Sequence, residues 1–561
     1  MTSSDDQHRL LRALADELAR SGVAGIATSP GSRSVPIVLA LTSHPSLTSY
    51  SLIDERAAGF FAVGLARQTG RPAVVVCTSG TAAVNLHPAV VEAHEAGVPL
   101  IAITADRPAE LRDVGAGQAI DQLGLYGRST RWFQQLDPGP ATDERLAWIR
   151  QLGCRAVAVA TGATGDQPGP VHLNVPLREP LVPPAGLPPH EEGGRAGGEP
   201  WTRFATAADD ADQIAAWLGD SAPKGGGVIV AGQGAPHGAA ALAGALEWPL
   251  LADPLSGERR GDAAIAHYDL LLRAERWAHV HRPSAVLRLG GLPTSKPLRR
   301  WLASLDCPQA VVPGTGVWAD PDGACTEVLR AGALPLHAAS DAADATWLAA
   351  WRSADEHAAA VITRELGDVL SEPAAALAVA AARGPVVVAS SMPIRDCESF
   401  WPVAEHPTHA IANRGANGID GTIATALGVA AGSGERTTLL IGDVAFSHDL
   451  SGLAAGARLG LPLTIVLVDN GGGGIFDFLP VGDAAPDGYE RHIGTPPGLD
   501  LGGIARACGA EHAAAETIEA LTELIGTDHD GVVVAEVQSD RAANVALHRR
   551  VAESVITALG A

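Results

Sequence analysis

The chain has 561 residues, 46% of them hydrophobic, and a formal net charge of −23. That length exceeds one core and predicts about three domains of ~150–200 residues, while the acidic balance argues against nucleic acid, which needs basic stripes. Six scattered cysteines without a Cys-x-x-Cys pair argue against a disulfide framework or zinc site, and no apolar run nears a membrane span. With a polar start that lacks a signal-peptide pattern, a cytoplasmic protein is expected.

Residues 8–21 carry the Leu and Ala spacing of a helix, and Val23–Thr28 reads as a strand. The strand feeds Ser29-Pro30-Gly31-Ser32-Arg33-Ser34. Backbone N–H groups, hydroxyls and a guanidinium at a strand end suit an anion. The same residues equally make a turn and N-cap with an exposed arginine. Ser49–Ile53 reads as a short strand, followed by Asp54-Glu55-Arg56 at a helix start. A glutamate there is a favourable partner of the helix dipole. Facing Phe60 and Phe61, it would have a raised pKa. Residues 71–108 alternate strand, helix and strand, with Thr78-Ser79-Gly80-Thr81 and Arg107 at strand ends. Gln118 follows in a glycine-rich loop, either as a surface residue or as part of a site made by the neighbouring loops. Val171–Val175 reads as the last strand of a first domain, 1–182, and the Pro/Gly-rich residues 183–200 as a linker.

A second domain, 201–365, has strand candidates at 227–232, 248–253, 285–291 and 310–314. Gly232-Gln233-Gly234 after a strand invites a dinucleotide-binding reading, but Gly238 falls one residue late for Gly-x-Gly-x-x-Gly. A Rossmann-like domain without FAD or NAD is therefore expected. Among 40 basic residues only Lys224 and Lys296 are lysines. Lys296 follows a strand end, Leu289-Gly290-Gly291; scarcity points to a chemical need, and the helix start to an ordinary solvated lysine. Residues 340–383 are Ala-rich and helical in pattern.

The third domain, 366–561, opens with the strand Val386–Ala389 and then Ser390-Ser391-Met392-Pro393-Ile394-Arg395-Asp396. Asn413-Arg414 leads into a glycine-rich run ending at Gly421. Two arginines just beyond strands, flanked by Ser, Asn and Gly, have the setting of carboxylate clamps. The strand Thr438–Ile441 runs into Gly442-Asp443, a helix spans roughly Ser447–Leu459, and the strand Leu463–Val468 ends in Asp469-Asn470 and four glycines. Parallel strands end at one sheet edge, so Asp443 and Asn470 can meet across one crevice. A carboxylate, an amide oxygen and a glycine-loop carbonyl form an all-oxygen set suited to Mg²⁺ shared with phosphate oxygens. The glycines let N–H groups approach those phosphates. The strand–helix alternation throughout predicts an α/β chain of three doubly wound parallel sheets.

The Gly442–Gly474 arrangement resembles the diphosphate-binding motif of thiamine-diphosphate enzymes. With SPGSRS, DERAAGFFAVGLA, TSGTA, ADRP, GQAIDQ, NRGANGIDG, GDVAFSHD and DNGGGGIFDFLP, the chain is similar to one branch of that family over nearly its full length. That branch is the 2-succinyl-5-enolpyruvyl-6-hydroxy-3-cyclohexene-1-carboxylate synthases of menaquinone biosynthesis; in the central domain only LGGLPTSK carries the likeness. The resemblance implies a pyrimidine-binding first domain, a central Rossmann-like domain and a diphosphate- and metal-binding third domain. It implies thiamine diphosphate with Mg²⁺ or Mn²⁺ on Asp443, Asn470 and the Gly472 carbonyl, and Glu55 as the activating acid. Cofactor contacts are implied for Thr78, Ser79, Gly80, Gly442, Val444, Ala445, Gly473 and Ile475, with Ile419 bending the cofactor. Substrate contacts are implied for Ser32, Arg33, Arg107, Gln118, Lys296, Ser391, Arg395 and Arg414, with Ile475, Phe476 and Leu479 as an apolar wall against water. The implied reaction decarboxylates 2-oxoglutarate and adds the succinyl-semialdehyde carbanion to isochorismate in a 1,4-addition. An acetolactate synthase or 2-hydroxyacyl lyase is the alternative, and would need fewer cations than the five basic residues named. Two departures stand out: Asp469 where the family has Asn, and Gly117 before Gln118 where a polar side chain is expected. Family architecture places Glu55 and Asp443 on different subunits, implying a homodimer or homotetramer with interfacial sites, without nucleic-acid partner or membrane insertion.

Overall fold

The computed structural model describes every residue except 1–3, 138, 184–192, 205–211, 222–225, 317–318, 331–333, 336–344, 485 and 561. Residues 184–192 of the expected linker, Lys224, and residues 340–344 of the Ala-rich stretch thus lie outside the described residues.

Three parallel sheets follow one another along the chain. The first contains β1 (Gly25–Thr28), β2 (Ser49–Ser51), β3 (Ala73–Cys77), β4 (Leu100–Asp106), β5 (Trp132–Gln135) and β6 (Val171–Pro176), in the order β2-β1-β3-β4-β6-β5. The central sheet contains β7 (Val228–Ala231), β8 (Leu250–Ala252), β9 (Val286–Leu289), β10 (Gln309–Val312) and β11 (Glu327–Val328), ordered β11-β10-β9-β7-β8. The third contains β12 (Val386–Val388), β13 (Ala410–Ile411), β14 (Thr437–Gly442), β15 (Leu463–Asp469), β16 (Glu511–Ala514) and β17 (Val532–Gln538), ordered β13-β12-β14-β15-β17-β16. The first and third sheets thus share one topology. Inner strands of parallel sheets are covered on both faces and read as unbroken apolar runs; Ala73–Cys77 and Val386–Val388 are buried throughout. In each sheet the strand order reverses between inner strands, at β1/β3, β7/β9 and β12/β14, the kind of point where α/β folds bind ligands beyond the strand C-termini.

One helix crossing joins the first and third units. Helix α1 (Glu55–Thr69) lies on a later helix, Thr422–Ser433, and both contribute to one hydrophobic core with Phe61, Leu427, Leu439 and Phe446. A Cβ at Gly64 would sit 2.0 Å from the Thr425 carbonyl oxygen, and one at Gly428 would sit 2.0 Å from that of Phe61. Only glycine allows backbones this close. The crossing fixes the helix that begins with Glu55 against the helix that follows Ile419.

The remaining helices near the site are α2 (Lys296–Ala303), α3 (Glu372–Ala380), α4 (Met392–Phe400), α5 (Thr422–Ser433), α6 (Asp443–His448), α7 (Leu450–Leu459) and α8 (Arg541–Ala558). The single helix expected over Ser447–Leu459 is instead two, α6 starting earlier at Asp443, with Asp449 between them. Asp449 leaves helical geometry because its side chain caps another helix. Gly421, at the N-cap of α5, has no side chain, and Asp449 Oδ2 accepts the orphan Ala424 N–H at 2.9 Å. Burial raises the Asp449 carboxyl to about 6, partly opposed by the Ala424 N–H and by Arg56. A folded-state pKa above the ordinary value means stability that is full at acid pH and lost as pH rises through about 6. Asp449→Asn keeps an oxygen for Ala424 and carries no charge. Its unfolding free energy from urea titration is expected to exceed wild type by an amount that grows between pH 4 and pH 7, on the order of 2 kcal/mol. A pH-independent difference would assign Asp449 no buried charge. Among the described residues no helix is long and apolar enough to cross a membrane.

Candidate active site

The third sheet builds a cavity of about 440 Å³ at its switch point. The loop after β12 contributes Ser390 and Ser391, β14 ends at Gly442 with Asp443 next at the start of α6, and β15 leads to Asn470 and the glycine loop. Arg395, Arg414, Ile419, Val444, Ala445, Gly472, Gly473, Ile475 and Phe476 complete most of the predicted lining.

Asp443 and Asn470 do meet. Asp443 is buried, its Oδ2 accepting the Gly472 N–H at 2.7 Å and its Oδ1 the Val444 N–H at 2.8 Å. Burial raises its carboxyl to about 6, opposed by those two N–H groups and reinforced by nearby Asp469. Asn470 donates from Nδ2 to Glu372 Oε1 at 3.0 Å, while its Oδ1 is buried without a protein partner. A buried carboxylate short of positive charge beside an unpaired amide oxygen fits a divalent cation. Among the described residues no cluster of three or more His, Cys, Asp or Glu is arranged for a metal. A cation here would therefore lean on amide, carbonyl and ligand oxygens, the habit of Mg²⁺ with phosphates. Asp469 accepts from Gln538 Nε2 at 2.9 Å and the Gly471 N–H at 3.2 Å, and lies close enough to Asp443 to raise its pKa.

Two arginines line the same cavity, with Asp396 and Asp269 in the surroundings of Arg395 and Asp253, Glu92 and Glu398 in those of Arg414. Arg395 bonds the Ser391 carbonyl, Arg414 bonds Ser390 Oγ at 3.3 Å, and neither has an acid within 4.0 Å among the described residues. Burial lowers both pKa values, and Arg414 lowers that of Arg395 further. Ser391 holds φ at +78°, a conformation costly for a residue with a Cβ, at the cavity wall.

The first-domain candidates gather elsewhere, at the C-terminal edge of the first sheet. Arg107 Nη1 donates to Ser79 Oγ at 2.8 Å, and burial together with Arg33 lowers the Arg107 pKa. Arg33 is buried and partly committed, to the Leu177 carbonyl at 2.9 Å and Glu179 at 3.2 Å. Thr78 and Gly80 are buried, Ser32 and Gln118 are exposed, and the Gln118 backbone lies against Gly80. Glu55 accepts from Asn85 Nδ2 at 3.2 Å. Sequence reasoning picked Gln118 from GQAIDQ and missed Gln122. Gln122 is 1% exposed, accepts the Gly80 N–H at 2.9 Å and donates to Asn174 and the Ala105 carbonyl. No residue of the first domain lines the third-domain cavity. Ile53 and Val84 near Glu55, Phe476 at the cavity and Leu479 three residues beyond it are exposed apolar side chains.

Lys296 and Leu479 also lie outside the cavity lining. Lys296 is exposed at the start of α2, whose cap Ser295 donates to Asp269 at 2.6 Å. Asp269 also accepts from Ser399 of α4 at 3.0 Å, so the lysine loop is tied to the helix that carries Arg395. In the central domain a Cβ at Gly232 would sit 1.9 Å from the Gly291 carbonyl oxygen, while Gly234, Gly290, Gly291 and Gly314 line an open cavity of about 760 Å³.

Comparison with known proteins agrees with this geometry. Family models described as thiamine pyrophosphate enzyme, N-terminal TPP binding domain, middle domain of thiamine pyrophosphate, and thiamine pyrophosphate enzyme, C-terminal TPP binding domain, match residues 8–125, 196–385 and 396–537. The chain is 40% identical to the 2-succinyl-5-enolpyruvyl-6-hydroxy-3-cyclohexene-1-carboxylate synthase of Geobacillus kaustophilus, covering 96% of each chain. It is equally identical to those of Halobacterium salinarum, covering 99% of each, and Myxococcus xanthus, covering 100% of this chain and 99% of the other. The chain therefore belongs to the thiamine pyrophosphate enzymes, within the family of 2-succinyl-5-enolpyruvyl-6-hydroxy-3-cyclohexene-1-carboxylate synthases.

Proposed function

We propose that this protein decarboxylates 2-oxoglutarate and joins the remaining succinyl-semialdehyde unit to isochorismate by 1,4-addition, releasing CO₂ and forming the product in its relatives' name. The arginine pair carries the reading. Two desolvated guanidiniums without a direct ion pair among the described residues, in one cavity with a metal- and diphosphate-suited set, call for a substrate with carboxylates. An acetolactate synthase or a lyase acting on a small 2-keto acid would leave one such charge buried and unpaired.

Thiamine diphosphate, when bound, supplies the electron sink that decarboxylation of a 2-keto acid requires. Asp443, the Asn470 amide oxygen and the Gly472 carbonyl would hold Mg²⁺ or Mn²⁺, and the N–H groups of the glycine loop the diphosphate. Ile419 would shape the cofactor, and Ile475 with Phe476 would keep water from the reacting carbon. Arg395 and Arg414 would orient substrate carboxylates, which converts a two-substrate reaction into an effectively intramolecular one. Glu55, Ser32, Arg33, Thr78, Ser79, Gly80, Arg107 and Gln118 would close the site from a second copy of the chain. The separation of the two half-sites within one chain, and the bare apolar side chains at each, support a homodimer or homotetramer.

The test follows isochorismate absorbance with thiamine diphosphate, Mg²⁺ and 2-oxoglutarate, each omitted in turn and the metal also stripped by chelator. Loss requiring all three is expected. Release of CO₂ from 2-oxoglutarate without loss of isochorismate would move the acceptor elsewhere, and inertness toward 2-oxoglutarate with activity on pyruvate would favour the lyase alternative.

A further inference from the structure

An asparagine that ligates a metal must present its oxygen and not its nitrogen, and a side-chain amide can turn either end to a cation. Something must set that choice. We infer that Glu372 is the positioning residue that fixes the Asn470 amide, by accepting its Nδ2 and so committing Oδ1 to the cavity. This rests on the reading of Asp443, Asn470 and Gly472 as the metal's ligands.

The local sequence places Glu372 for this task. Ser371-Glu372-Pro373 is a helix start: Ser371 Oγ accepts the Ala374 N–H at 3.3 Å, and proline takes a position where no N–H is needed. The carboxylate therefore stands at the first turn of α3, 3% exposed, on the wall of the cavity. Its Oε1 accepts from Asn470 Nδ2 at 3.0 Å and from Ser539 Oγ at 3.1 Å. Oε1 thus takes two donors, and the amide end that faces it is the NH₂. The opposite end, Oδ1, is buried and has no protein partner. The glycine loop packs close to the same end of the amide. A Cβ at Gly474 would come within 2.9 Å of Asn470 Nδ2, so the amide is held between Glu372 and a bare backbone.

Groups that orient a metal's ligands typically change metal affinity by about 10- to 100-fold when removed. The experiment measures Mn²⁺ binding by electron paramagnetic resonance of the free ion, on the full-length protein with saturating thiamine diphosphate. Glu372→Leu is expected to weaken Mn²⁺ binding by about 10- to 100-fold. Glu372→Gln, which retains an acceptor oxygen, is expected to stay within about threefold of wild type. In an Asn470→Asp background the two oxygens are equivalent and polarity no longer matters, so Glu372→Leu should cost about threefold or less, the coupling expected of a pair that acts as a unit. A role confined to folding would keep the full loss in both backgrounds, and that result overturns the inference. If Glu372→Leu does not fold, Gly474→Ala tests the same bond from the other side. Its methyl pushes Nδ2 off the carboxylate and is expected to weaken Mn²⁺ binding with Glu372 intact; unchanged binding overturns the inference. Asp443→Asn separates the two levels. Loss of Mn²⁺ in Asp443→Asn with unchanged binding in Glu372→Leu defeats Glu372 alone, whereas unchanged binding in Asp443→Asn defeats the ligand set beneath it.

Discussion

Replacing Glu55 with glutamine is expected to lower kcat by about 10²- to 10⁴-fold, the range supplied by one positioned proton-transfer group, with the fold intact. The local structure says why the fold should survive. Asp54, not Glu55, is the N-cap of α1, accepting the Arg56 and Ala57 N–H groups. Glu55 is thus released from the capping duty a helix start would otherwise give it. Its bond from Asn85 is one that a glutamine oxygen can also accept. Thermal midpoint and thiamine diphosphate affinity should therefore stay near wild type while turnover falls. A near-wild-type rate would remove Glu55 from the mechanism. The same variant tests where the site is built. Mixed with Asp443→Asn, itself inactive, it should recover roughly a quarter of wild-type activity if each site draws Glu55 and Asp443 from different chains. Half of randomly assembled dimers are then mixed, and each has one intact site, as two-fold symmetry requires. No recovery would put both residues in one chain's site.

Much of this was legible because inner parallel strands announce themselves. Ala73–Cys77, Val386–Val388 and Leu463–Asp469 are apolar runs ending in glycine, serine or acid, and the strand ends mark the ligand edge. The strands not read were β5, β11, β13 and β16, each at the edge of its sheet. Three of them, Trp132–Gln135, Glu327–Val328 and Glu511–Ala514, are partly or fully exposed, so their sequences alternate or turn polar and lose the buried-strand pattern. Sequence spacing likewise paired Asp443 with Asn470, because register across β14 and β15 follows from where two apolar runs stop. It could not find Glu372, whose partner lies 98 residues away. Nor could it find Gln122, which lies in one loop with Gln118 and is set apart only by its burial. Asp449 was misread for a related reason. A residue that caps a neighbouring helix looks, in its own sequence, like an ordinary helical position.

Arg395→Ala is expected to raise the KM of one substrate, 2-oxoglutarate or isochorismate, by on the order of 10²-fold, while thiamine diphosphate affinity moves by no more than about threefold. Truncating one partner of a buried, hydrogen-bonded charge pair costs about 2–5 kcal/mol, and each 1.4 kcal/mol is about tenfold. In the free protein that pair is incomplete. Arg395 spends one N–H on the Ser391 carbonyl, makes no ion-pair contact within 4.0 Å among the described residues, and feels Arg414 more strongly than the nearby Asp396 and Asp269. The like charge makes a second, opposite expectation. Removing Arg395 relieves repulsion in the empty site, so the thermal midpoint should hold or rise while substrate binding collapses. An arginine that merely stabilised the fold would lower both. Arg395→Lys should fall between the two, because a point charge replaces the fork but cannot grip a carboxylate in two places. Equal loss of thiamine diphosphate affinity would mean instead that Arg395 faces the diphosphate, and the substrate clamp would then rest on Arg414 alone.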